Sequence, residues 1–170
     1  FNRGIKIWFY LTLSGVGLFY FLRQLNVSIM ASVFSGMVSC LTPYAFGLIN
    51  AGHMNKIYAM AFIPWVLMGA FQVIRRPTLK SVLFLSFVTA FQLWVNHPQI
   101  VYYTWMVIGF YLVWTMGFSV KDKSFSAKVS GKQISGILAG LFLALLMVST
   151  RLVASLEHLF RCFPKIPILG

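Results

Sequence analysis

Apolar residues fill the chain in six long runs, each closed by a short polar or charged stretch. The runs are Ile5 to Leu22, Asn26 to about Ile49, Ile57 to Ile74, Leu79 to about Asn96, Pro98 to about Phe118, and Ile134 to about Leu156. A hydrocarbon layer about 30 Å thick needs roughly 20 residues at about 1.5 Å rise each, and these runs are of that order. The pattern predicts an all-α fold: a polytopic transmembrane helix bundle of about six spans, because lipid offers the backbone no partners and each helix satisfies its own. Thr42-Pro43 inside the second run is expected to end or kink the helix, since proline lacks the N–H and crowds the preceding turn. The corner Asn96-His97-Pro98 predicts a tight hairpin between the fourth and fifth spans, with Pro98 opening the fifth helix.

Composition supports this reading. Of 170 residues, 59% are hydrophobic, 17% aromatic and only 9% charged, and mean hydropathy is +0.84. A soluble domain carries roughly 25% charged residues, so the polar atoms needed to coat a water-facing surface are missing. The formal net charge of +12 would suggest nucleic acid in a soluble protein. Here the basic residues flank apolar runs, where they meet headgroups and fix topology, and no basic stripe carries base-stacking aromatics. Cys40 and Cys162 have no metal-ligand spacing. The chain opens on Phe1 without a signal-peptide pattern and is expected to be a single transmembrane domain, residues 1–170, within a longer protein.

Loop charge orients the bundle, because cytoplasmic loops collect Lys and Arg. Basic loops at about 75–80 (Arg75, Arg76, Lys80) and 119–133 (Lys121, Lys123, Lys128, Lys132) are separated by two spans and must share a side. With Arg23, that side holds eight of the 14 basic residues, and the opposite short connections hold only Lys56. The basic loops are therefore expected in the cytoplasm, with the first residue and the C-terminal tail outside.

This orientation gathers the other polar residues on the outer face. His53, Asn55 and Lys56 join spans two and three, His97 and Gln99 join spans four and five, and Glu157 and His158 follow span six. These side chains either cap helices and sit among headgroups, or line a polar pocket for an anionic or hydroxyl-rich group through ring N–H, amide and ammonium donors. Glu157 is the only acid on that face for general-base work; its other reading is an ion pair with Arg161 or Arg151. Arg151, late in the sixth run, either snorkels outward, pairs with Glu157 or serves the pocket. Tyr102, Tyr103, Trp94 and Trp105 fit an aromatic belt, or stacking on a sugar ring. Gln72 and Gln92 are read as amides bonding neighbouring helices, and Gly136 and Gly140 as a small-residue packing face. The chain has no Walker loop, dinucleotide fingerprint, metal-binding His/Cys cluster or nucleophile elbow, and no cofactor is identified.

Three blocks carry a family likeness: Ala51-Gly52-His53-Met54-Asn55-Lys56, Ala59-Met60-Ala61-Phe62-Ile63-Pro64-Trp65-Val66-Leu67, and Asn96-His97-Pro98-Gln99-Ile100-Val101-Tyr102-Tyr103. In order and separation they resemble the YfhO family of bacterial polytopic membrane proteins, closely over about Thr42 to Tyr103 and loosely elsewhere. That family is similar to GT-C glycosyltransferases, so the resemblance implies transfer of a sugar from a polyprenyl-phosphate carrier to an extracytoplasmic glycan or polymer acceptor at a bacterial inner membrane. His53 and Lys56 would then contact the carrier phosphate, while His97 and Gln99 orient the sugar or close the pocket. GT-C enzymes carry an acidic catalytic motif in a long first outer loop, which this chain lacks; either that part precedes Phe1 in the intact protein, together with any divalent metal it requires, or the chain does not catalyse transfer. A transporter or lipid flippase, and a non-catalytic membrane scaffold, are the alternative readings, with the bilayer as partner in every case.

Overall fold

The computed structural model describes residues 2–118 and 131–162, with side chains at 2–115, 131–150 and 153. These residues form helices α1 (Arg3–Gln24), α2 (Ile29–Cys40), α3 (Pro43–Asn50), α4 (Met54–Ala61), α5 (Ile63–Arg75), α6 (Leu79–Trp94), α7 (Pro98–Phe118) and α8 (Gly131–Cys162). Four segments are long and apolar enough to cross a membrane: α1, the α2–α3 pair, the α4–α5 pair and Gly131–Thr150 of α8. With α6, apolar but only 16 residues long, and α7 of 21 residues, the bundle comes close to the six spans the apolar runs predict.

The helix ends have local chemical causes. Asn2 and Ser28 cap α1 and α2 by accepting from Gly4 N and Ala31 N at 3.4 and 3.3 Å. Thr78 and Ser81 form a reciprocal capping box that opens α6. Three residues take left-handed backbone, Asn26 (φ 62°), Gly52 (φ 76°) and Asn96 (φ 58°), and each lies where the chain reverses. After Asn26, Val27 N–H reaches back to Leu22 O at 3.1 Å and satisfies one of the helix's last carbonyls.

Pro43 breaks the second span as expected, ending α2 at Cys40 and starting α3 at Pro43 itself. The third span differs from a single run over Ile57 to Ile74. It starts earlier, at Met54, and is broken at Phe62, with Pro64 in the first turn of α5. Proline has no N–H to give the preceding turn, so continuous apolar sequence hides a joint in the backbone. Near this joint Ala59 O accepts from both Phe62 N–H and Gln92 Nε2, each at 3.3 Å.

The α4–α5 span is central. Val66, Val73 and Ile74 of α5 pack with Leu85 and Val88 of α6, Ile108 of α7 and Ile137 of α8. Lipid tails are as apolar as leucine, so close approach at small residues does what the hydrophobic effect does in water. Gly136 and Gly140 on α8 do this as read from sequence: a Cβ at Gly140 would lie 3.0 Å from Leu85 Cδ2, and one at Gly136 3.0 Å from Val73 Cγ1. On the far side, α1 meets α2 at Gly15 and Gly36 and meets α5 at Gly17, where Trp65 Nε1 donates to Leu13 O at 2.9 Å.

Two contacts fix which connections share an end. Arg75 Nη1 donates to Gln24 O at 3.3 Å, joining the ends of α5 and α1. Gln133 Nε2 donates to Ile74 O, bringing the start of α8 to the same place. Arg23, Arg75, Arg76 and Lys80 therefore cluster at one end, and the α3–α4 and α6–α7 turns lie at the other. The lysines at 121, 123 and 128 lie outside the described residues.

Candidate functional site

The α3–α4 turn is set by Gly52. Its positive φ lets Gly52 N–H bond Ile49 O at 3.1 Å and His53 N–H bond Leu48 O at 2.9 Å, the paired closure of a helix C-terminus that a left-handed residue permits. His53 is thereby held by its own backbone at the cap of α4, with its side chain exposed and making no capping bond. Asn55 and Lys56 belong to the first turn of α4 rather than to a loop; Asn55 is exposed and Lys56 half-buried. Lys56 Nζ sits 5.5 Å from the centre of the Tyr44 ring, within the range at which an aromatic face attracts a cation.

The α6–α7 turn lies at the same end. Asn96 N–H bonds Leu93 O at 3.0 Å, and Pro98 opens α7 as predicted. Between them His97 is half-buried, and its Nδ1 is out of contact with water and without a hydrogen-bond partner. Gln99 is exposed and donates from Nε2 to Tyr103 OH at 3.0 Å. Tyr102 is 64% exposed, so its ring faces the surroundings and not the bundle. The end thus combines two histidines, a lysine and amides.

Beneath the α3–α4 turn a narrow cleft of about 250 Å³ runs into the bundle between α1, α2–α3 and α4–α5. Leu48 and Ile57 line it near the turn, and Phe21 and Leu67 line its deeper part. Of the four hydroxyl-bearing residues at its wall, Ser14 and Ser39 satisfy each other at 3.2 Å, Tyr10 and Thr42 are the others, and the rest of the lining is apolar. Such a slot accepts hydrocarbon and offers little to a polar solute.

Gln92 behaves as read: it is wholly buried, donates to Ala59 O and to Thr104 Oγ1 at 3.0 Å, and ties α4, α6 and α7 together. Gln72 stands in a different setting, in the wall of a basic cavity at the opposite end. The side chains of Arg151, Glu157 and His158 lie outside those described. Among the described residues no three His, Cys, Asp or Glu side chains gather closely enough to hold a metal ion. The apolar cleft was not legible from spacing, because its lining comes from residues as far apart as Tyr10 and Leu67. No family model, curated protein or solved structure matches the chain.

Proposed function

We propose that this chain is the membrane-embedded, carrier-binding part of a GT-C-like glycosyltransferase that takes a sugar from a polyprenyl-phosphate carrier and passes it to an acceptor outside the cytoplasm. The observation that carries the reading is the juxtaposition of an apolar cleft with a donor-rich end: the α3–α4 turn bearing His53 and Lys56 stands over a slot for hydrocarbon. A polyprenyl phosphate has this shape, an anion on a long apolar tail. Lys56 and His53 offer positive or N–H-bearing groups to the phosphate, which gains negative charge as the sugar leaves. The half-buried His97 and the exposed Gln99 stand on the α6–α7 turn at the same end to orient the sugar, and the exposed Tyr102 offers a face for stacking. The likeness of the three sequence blocks to the YfhO family points the same way and suggests a bacterial inner membrane. Glu157 is the chain's own candidate for a catalytic carboxylate.

The test is transfer of radiolabelled sugar from a polyprenyl-phosphate donor by the intact protein in liposomes, beside the double variant His53→Ala/His97→Ala. Loss of about 100-fold or more in rate with unchanged folding supports the reading; unchanged transfer removes both histidines from the site. The buried hydroxyl of Thr89, which has no hydrogen-bond partner among the described residues, favours a second reading, a transporter or lipid flippase, since a polar group inside a span can mark a solute path. Flux of a solute or lipid across sealed vesicles without sugar transfer would select it.

A further inference from the structure

At the basic end, away from the candidate site, a cavity of about 680 Å³ opens between α1, α5 and the start of α6. Its wall includes Arg23, Arg75, Arg76 and Lys80, brought together from segments about fifty residues apart. Both acids of the chain, Asp122 and Glu157, lie outside the described side chains, so no described carboxylate neutralises this charge. Rules of membrane insertion explain why these residues are basic; they do not require that the charges line one cavity.

Two of the cations are held in place by backbone. Arg23 Nη1 donates to Val27 O at 2.6 Å, and Arg75 Nη1 donates to Gln24 O while its guanidinium carbon sits 4.4 Å from the centre of the Phe71 ring. A guanidinium has five N–H donors, so each retains most of them after this anchoring, and little side-chain entropy is left to lose on binding an anion. The first turn of α6 adds the positive end of its dipole, with the capping pair Thr78 and Ser81 in the cavity wall.

We infer that this cavity is a binding site for a net-anionic phosphate group, the chemistry shared by an anionic lipid headgroup and a soluble phosphate. Its volume lies in the range of sites for molecules much larger than inorganic phosphate, and its position at the end of the spans puts it at headgroup depth. The inference is independent of the carrier-binding proposal, which concerns the opposite end.

The experiment uses the full protein in phosphatidylcholine nanodiscs and measures binding of fluorescent short-chain phosphatidate, with phosphatidylcholine and inorganic phosphate as competitors. The variant Arg76→Gln/Lys80→Gln is preferred because neither side chain holds the helices together, whereas Arg75 does. At about fivefold per charge, it should weaken phosphatidate binding by about 30-fold. Lys6→Gln, at the opposite end, should leave binding unchanged, and Arg76→Lys, which keeps the charge, should preserve most of it. Displacement by millimolar inorganic phosphate would assign the site to a soluble phosphate, and resistance to it would assign the lipid headgroup. Phosphatidate bound no better than phosphatidylcholine, or equally by the double variant, overturns the inference.

Discussion

Gly15 on α1 and Gly36 on α2 pack backbone to backbone: a Cβ built on Gly15 would lie 2.7 Å from Gly36 O, and one on Gly36 2.9 Å from Gly15 O. Neither carbonyl can yield without moving a helix. The same hypothetical Cβ on Gly15 would overlap Cys40 Sγ, which bonds Leu11 O at 3.3 Å. Gly15→Ala is expected to destabilise the protein by about 1–3 kcal/mol, the range for inserting a methyl into a filled contact. Gly47→Ala, where nothing lies within 4 Å, serves as the comparison and should be neutral or mildly stabilising. Thermal unfolding of both variants in one detergent decides the matter, and equal midpoints would contradict the packing.

Gly52 carries a different demand, on φ and not on space, since nothing lies within 4 Å of its Cβ position. Gly52→Ala should cost about 1–2 kcal/mol through the left-handed backbone alone. Because His53 N–H is anchored through this turn, the change should also weaken binding of a polyprenyl phosphate. A variant that loses stability but keeps carrier affinity would separate the turn from the site.

Gln92 should be intolerant of apolar replacement despite lying in a span. Gln92→Leu removes donors from Ala59 O and Thr104 Oγ1 and loosens the junction of α4, α6 and α7. The expected cost is about 0.5–1.5 kcal/mol, the scale of hydrogen bonds between helices in a membrane. Steric trapping or reversible unfolding in mixed micelles would measure it, and a more stable variant would show that the amide is not a tie.

The shared ends lead to a topological prediction. Asn55→Cys and Thr78→Cys, made in a Cys40→Ala/Cys162→Ala background, should react with a membrane-impermeant maleimide from opposite sides of sealed vesicles. Labelling of both from one side would dismantle the arrangement of the turns.

Much of the helical layout was legible because lipid imposes a single demand, an apolar segment of sufficient length, and hydropathy reads it directly. The break at Pro43 was legible for the same reason that it exists, the missing N–H. The joint at Phe62 was not, since Pro64 stands in the first turn of a helix, where proline is well tolerated, within unbroken apolar sequence. His53 and His97 stand at the two turns, whereas Asn55, Lys56 and Gln99 lie in the first turns of α4 and α7, and the partners Tyr44 for Lys56 and Tyr103 for Gln99 depend on helix rotation that spacing does not encode. Arg23, Arg75, Arg76 and Lys80 were read as markers of orientation, and that explanation was sufficient enough to conceal their convergence on one cavity.

That convergence also ties the bundle to the electrical polarity of its membrane. Each elementary charge carried across 100 mV costs about 2.3 kcal/mol, so turning the bundle over against a potential negative on the side of these four cations would cost about 9 kcal/mol for them and return about 7 kcal/mol for Arg3, Lys6 and Lys56 at the opposite end. A membrane potential of that sign therefore biases the protein's handedness in the bilayer, and the bias fades as the potential falls.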